Sequence, residues 1–286
     1  MALLQSFGGS LEKISLQKLL FLFSTKQEKT VYDFIPYRFG SYSISAHADL
    51  EAMARQSFIL KNETTYQKKD ATDYVKKLNL EDRLILQKIV RDFDNKSSDE
   101  LMKFTYLNFH YTAINSETAQ KLLNQKEYQK VKSAKPTSEK TILFTIGYEG
   151  ISLEEYLNRL IRNDVKVLVD VRCNPVSMKF GFSKKQLKSY CESLKIEYIH
   201  IPDVGIRSEF RQDLRSQLDY DELFKVYKTE TLEKTRNSQK DILELLKQKK
   251  RIALTCFESD INKCHRTHLA KSITQLPDWD FELKHI

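Results

Sequence analysis

I-A-L-T-C-F-E-S-D-I-N-K-C-H-R-T-H-L, residues 252–269, is the stretch on which the fold turns. An apolar run of strand character ends in Cys256 and Glu258, and soon afterwards the chain sets down Cys264, His265, Arg266 and His268. A strand that delivers titratable groups into a loop and then opens a helix is how open α/β sheets build their binding crevices. Runs of the same character lie at 141–146, 165–171, 196–201 and 279–283, around the one at 251–256. Amphipathic segments separate them, which is the pattern of parallel βαβ units. Ser152 with Glu155, and Ser183 with Gln186, fit the capping box that opens a helix. A helical stretch over 219–249, broken once near Asn237, leads into the run at 251–256.

Upstream the pattern changes. Leu16, Leu19, Leu20 and Phe23, then Leu50, Met53 and Ala54, then Leu84, Leu86, Ile89, Val90 and Phe93, then Leu101 and Phe104 recur at helical spacing. This half is expected to be mostly helical, with one ordered surface loop at 32–45, where aromatic rings surround Pro36 and Gly40. Lysine-rich residues 125–140, broken by Pro136, read as a helix end running into a linker. The fold class is therefore α/β: a C-terminal parallel-sheet domain of four to five strands (141–286), a linker (131–140) and a mostly helical partner or sensor domain (1–130).

The 286 residues, 41% of them hydrophobic, support a real core rather than disorder. No long apolar window and no signal-peptide order is present, so a cytoplasmic protein with no membrane contact is expected. Four cysteines (Cys173, Cys191, Cys256, Cys264) are too few for a disulfide scaffold and suit a reducing compartment. A net charge of +8 favours an anionic partner, a nucleotide or nucleic acid. Against that, many lysines stand beside acids on helix faces, where they are solvated.

Parallel strands joined by right-handed crossovers all end on one edge, so residues just past those ends should converge. They are Tyr148 and Glu149, Asp170 and Arg172, His200, and Cys256 with Glu258. Asp170, inside V-L-V-D-V-R, is expected to be buried and to need a partner; it either braces a loop or acts as a base. Arg172 would bind an anion. Cys264, His265 and Arg266 are expected at the start of the last helix, capped by Asp260 or Asn262. The helix dipole favours an anion and a thiolate there. His265 would serve as acid or base and Arg266 would grip phosphate. Loops at 173–184, with Ser177, and at 201–211, with Asp203, Arg207 and Arg211, border this edge. A zinc site at Cys256, Cys264 and His268 is conceivable, since the last two stand four apart on a helix, but the spacing matches no standard metal pattern.

T-I-G-Y-E-G (145–150), L-V-D-V-R with N-P-V-S (168–177), G-F-S-K (181–184), Y-I-H-I-P (198–202), C-F-E (256–258) and C-H-R (264–266) resemble the DUF488 family, in order and over nearly all of residues 141–274. The resemblance implies a common site at Tyr148, Glu149, Asp170, Arg172, Pro175, Ser177, His200, Cys256, Glu258, Cys264, His265 and Arg266, and brings no activity with it. L-Q-K-L-L-F-L (16–22) and Y-D-F-I-P-Y-R-F-G-S-Y-S (32–43) are distantly similar to SocA-like or Panacea antitoxin-type domains. That similarity implies a protein partner for the first domain and a phage-defence setting.

Three functions are compatible with these residues. One is an enzyme that hydrolyses or transfers a group on a nucleotide or nucleic acid, with Asp170, His265, Cys264 and Glu258 as chemistry and Tyr148, Glu149, Arg172, Ser177, His200, Cys256 and Arg266 binding the substrate. Another is an anion-sensing module without turnover. A third is thiol-dependent sulfur transfer at Cys256 or Cys264.

Overall fold

A computed structural model describes residues 1–211, 214 and 216–286, without the side chains of residues 208 and 211. The chain divides between Lys135 and Pro136 into two units, each with its own core.

In the first unit Leu16, Leu19 and Leu22 of α2 (Lys13–Ser24) are buried with Leu86, Ile89 and Phe93 of α4 (Leu80–Phe93), while Leu20, Phe23 and Val90 are only partly buried and Leu84 and Phe104 are exposed. Around them lie α1 (Ala2–Ser6), α3 (Ile44–Arg55), α5 (Ser98–Asn108), α6 (Ala119–Leu122) and α7 (Gln125–Ser133). Capping boxes at Ser97/Glu100 and Asn124/Glu127 satisfy orphan first-turn amides and start α5 and α7. Two small sheets complete the unit. One is β1 (Ser10–Glu12), β5 (Thr65–Lys68) and β4 (Ile59–Lys61) in that order, all antiparallel. The other pairs β2 (Ile35–Tyr37) with β3 (Gly40–Tyr42). The stretch at 32–45 is thus not an irregular loop. It is a hairpin in which Tyr37 stacks on Tyr42 at 5.1 Å, and Ser43 then caps α3.

The second unit is a five-stranded sheet, β10-β6-β9-β7-β8, with every neighbouring pair parallel. Its strands are β6 (Ile142–Gly147), β7 (Val167–Asp170), β8 (Glu197–His200), β9 (Arg251–Cys256) and β10 (Glu282–His285). Strands β6, β7 and β9 are buried along their whole length, as near-continuous apolar runs of a parallel sheet should be. The chain runs from β6 to β7 and β8, then returns to lay β9 between β6 and β7. The helices are α8 (Leu153–Arg162), α9 (Lys184–Ser193), α10 (Gln217–Val226), α11 (Arg236–Lys249) and α12 (His265–Ile273). Ile242, Leu243 and Leu246 of α11 and Leu269, Ala270 and Ile273 of α12 cover alternate residues of β7 and β9. The Tyr156 hydroxyl of α8 donates to Thr255 Oγ1 at 2.8 Å.

Local expectations fail at three points, each for a physical reason. The last strand starts at Glu282 rather than residue 279, because Trp279 and Phe281 pack their rings on the core instead. Ser183 precedes α9, but its hydroxyl is engaged by the main chain of Ser177 and makes no cap. Ser152 caps Glu155 N at 3.0 Å, yet the Glu155 carboxylate turns to Arg159, so half the box is made. The break expected near Asn237 is present: after α10 and a π-helical turn at Tyr227–Leu232, the chain leaves helical geometry at Thr235 and α11 starts at Arg236. Among the described residues no helix is long and apolar enough to cross a membrane.

Candidate active site

Register does the gathering. Cys256, the last residue of the central strand, pairs with Gly147 of β6, while Asp170 of β7 pairs with Thr255 on one side and His200 on the other. The carboxyl ends of four strands therefore meet where the chain reverses its strand order, the position at which open α/β sheets bind ligands. A cavity of about 270 Å³ opens there, lined by Tyr148, Arg172, Ser177, Cys256 and His265 together with loop residues that include Val176 and Met178. The loop at 173–184 thus does border the crevice. A larger groove of about 670 Å³ runs along α10, and among the described residues its lining holds no thiol or imidazole. Asp203 and Arg207 line that groove rather than the crevice, and the side chain of Arg211 lies outside the described residues.

Asp170 is wholly buried and saturated. Its carboxylate accepts from the Arg172 main-chain N–H (3.1 Å), Arg172 Nε (2.8 Å), Arg172 Nη2 (2.5 Å) and the Tyr198 hydroxyl (2.5 Å). Arg172 Nη1 also donates to the Tyr148 hydroxyl at 2.7 Å and the Phe182 carbonyl at 3.0 Å. Burial opposes the guanidinium charge, but Asp170 outweighs it and the pKa of Arg172 rises above its ordinary value. Burial, then the Asp170 charge, likewise pushes up the Tyr198 phenol. The pair is a strut: it fixes Tyr148, whose ring stacks on Phe182 at 4.2 Å, as one wall of the cavity.

The other wall is chemical. Cys256 Sγ stands 3.1 Å from Glu258 Oε2 and 3.5 Å from His265 Nδ1. On its far side the His265 ring places Nε2 3.0 Å from the Val171 carbonyl. A carbonyl only accepts, so Nε2 carries the proton, and in the neutral ring Nδ1 presents its lone pair to the sulfur. Cys264 is also buried, and its thiol pKa is held well above normal, first by burial and then by its hydrogen bond with Cys256. Cys264 itself is the residue before α12, in extended conformation, and makes no side-chain cap; Asp260 caps the preceding turn instead, accepting from Asn262 N at 2.9 Å.

The remaining expected residues hold the loops. The Arg266 guanidinium is turned beneath residues 258–259 and donates to the Glu258 carbonyl through Nη1, so it clamps the loop and does not line the cavity. Glu149 Oε2 accepts from Ser259 N at 3.0 Å and its hydroxyl at 3.1 Å. His200 joins Arg172 O to Lys184 Nζ, each at 2.9 Å. Gly147 has no room for more: a Cβ there would lie 2.0 Å from the Glu258 carbonyl oxygen. His268 is not with the cysteines, since its ring packs on Phe224 at 4.3 Å. The i to i+4 spacing from Cys264 does not apply because Cys264 is not yet helical. The expected site left out Tyr198 and Phe182, whose roles come from residues 28 and 34 positions away; the signal that could have found them is their place in the motifs Y-I-H-I-P (198–202) and G-F-S-K (181–184).

Residues 152–273, most of this unit, match the family model of DUF488, a domain of unknown function, and the unit carries that domain. No curated protein and no solved structure matches the chain significantly.

Proposed function

We propose that the DUF488 unit is a cysteine-dependent group-transfer enzyme with Cys256 as its nucleophile. The observation that carries this reading is the placement of Cys256 Sγ on the cavity wall with two bases, Glu258 Oε2 at 3.1 Å and His265 Nδ1 at 3.5 Å, facing it. A thiol so flanked gives up its proton to a base as it attacks, which is the arrangement of activated cysteine nucleophiles. The Sγ–H bond breaks, Sγ bonds to the electrophilic atom of the substrate, and the leaving group takes the proton back from His265 or Glu258. Cys264, with its raised pKa, stays protonated and donates to the Cys256 sulfur. Asp170 and Arg172 act as positioning residues, since their polar atoms are engaged with one another and with Tyr148 and Tyr198.

The net charge of +8 supports an anionic substrate of the nucleotide or nucleic-acid class, with the transferred group a sulfur or an acyl-like electrophile. Four free cysteines support a reducing compartment, the cytoplasm. The test is a time course of iodoacetamide labelling of the native chain, read by peptide mass mapping. Cys256 is expected to react about tenfold or more faster than Cys191 and Cys264, and His265→Asn to slow it. Equal inertness of all three buried thiols would leave the anion-sensing alternative in its place.

A further inference from the structure

Cys256 Sγ, Cys264 Sγ and His265 Nδ1 or Nε2 supply ligand atoms that all lie within 4.8 Å of one another, on three buried residues. Among the described residues this is the one group of three or more His, Cys, Asp or Glu side chains so disposed. We infer that this cluster is a binding site for a soft divalent cation of the zinc class, and that an ion bound there silences the Cys256 nucleophile.

Geometry supports it first. Zinc bonds of about 2.3 Å to sulfur and about 2.0–2.1 Å to nitrogen imply a sulfur-to-nitrogen edge of roughly 3.5 Å in a tetrahedral centre. The Cys256 Sγ to His265 Nδ1 distance is 3.5 Å. Glu258 Oε2, 3.1 Å from the same sulfur, is placed to close the fourth position after moving outward by about half an ångström. The second argument lies outside the ligands. A metal-bound imidazole almost always donates its other N–H to a carbonyl or carboxylate, which orients the ring. His265 does this toward the Val171 carbonyl at 3.0 Å, with Nδ1 directed at the sulfur. Third, two thiolates with an imidazole select zinc-class ions over magnesium or calcium, which prefer oxygen.

Coordination stands on this geometry alone; the silencing rests on the reading of Cys256 as nucleophile. An ion at the centre and an electrophile in the cavity would compete for one sulfur lone pair.

The experiment uses the full chain stripped with chelator. Zinc titration followed by native mass spectrometry and competition with a chromophoric chelator should give one equivalent with a Kd below about 1 µM. Cys264→Ser and His265→Asn should weaken it about 100-fold or more, while His268→Asn should leave it unchanged. Cobalt substituted into the wild-type chain should show sulfur-to-metal charge-transfer bands, which read the ligand set without any variant. Zinc should also protect Cys256 from iodoacetamide, with protection lost in Cys264→Ser. Failure to bind an equivalent of zinc, or binding indifferent to Cys264→Ser with no thiolate bands, overturns the site. Rapid labelling of the stripped chain without zinc binding leaves the nucleophile standing and removes the metal. Zinc binding to a chain whose stripped form labels slowly keeps coordination and sinks both the silencing and the thiol mechanism.

Discussion

Each unit buries charge, and the two do it in opposite ways. In the C-terminal unit Asp170 and Arg172 neutralise one another, and neighbouring tyrosines and a carbonyl take up most of what remains. In the N-terminal unit Lys18 of α2 is 1% exposed, and its ammonium donates to the Ser41 carbonyl at 2.7 Å with no carboxylate in ion-pair reach among the described residues. The Ser41 hydroxyl next to it is buried without a partner. Burial alone pulls the pKa of Lys18 down from 10.5 to about 7. A paired charge holds geometry, whereas a lone one makes stability depend on pH.

The largest expected effect comes from halving the paired system. Arg172→Met should lower stability by about 3–5 kcal/mol, because Asp170 is left buried and uncompensated. Hydrogen exchange of peptides from 136–286 would register the loss in that unit; protection equal to wild type would show that the strut is dispensable. Next comes Lys18→Met. Between pH 7 and 10.5 the unfolded amine keeps a proton that the folded one has released, so stability of the N-terminal unit should rise with pH through that window and be flat below it. Removing the amine should abolish the rise and stabilise the unit at pH 7 by on the order of 3 kcal/mol. Urea melts of both chains at pH 7 and pH 10, followed by exchange in peptides from 1–135, would reveal it, and parallel pH profiles would refute it. The smallest is Tyr198→Phe, which deletes one of several bonds to Asp170 and should cost about 1–2 kcal/mol. A loss as large as that of Arg172→Met would mean that Tyr198, not the guanidinium, carries the buried carboxylate.

Much of the sheet was legible in the sequence because three of its strands are buried end to end and advertise themselves as apolar runs. The polar residues that follow them converge as the shared strand direction requires. What local patterns could not supply was the choice of partner. Nothing near Asp170 announces that Tyr198 will seal its carboxylate, and nothing in C-H-R says that Arg266 will fold under the loop while His265 turns to the sulfur. Helical spacing paired Cys264 with His268, but the extended backbone at Cys264 puts His265 beside Cys256 instead. Ser183 carried the right letters for a cap, and a neighbouring loop claimed its hydroxyl first. Short-range rules fail where one atom has two suitors, and those places cluster around the crevice.

Gly147 shows how narrow the tolerance is. The loop bearing Glu258 leans its main chain directly on this residue, with Arg266 bracing it from behind. A single methyl group at position 147 would act as a wedge, lifting Glu258 away from Cys256 without touching either side chain. The missing side chain at position 147 thus sets the clearance between the Glu258 loop and the sheet end that carries Cys256.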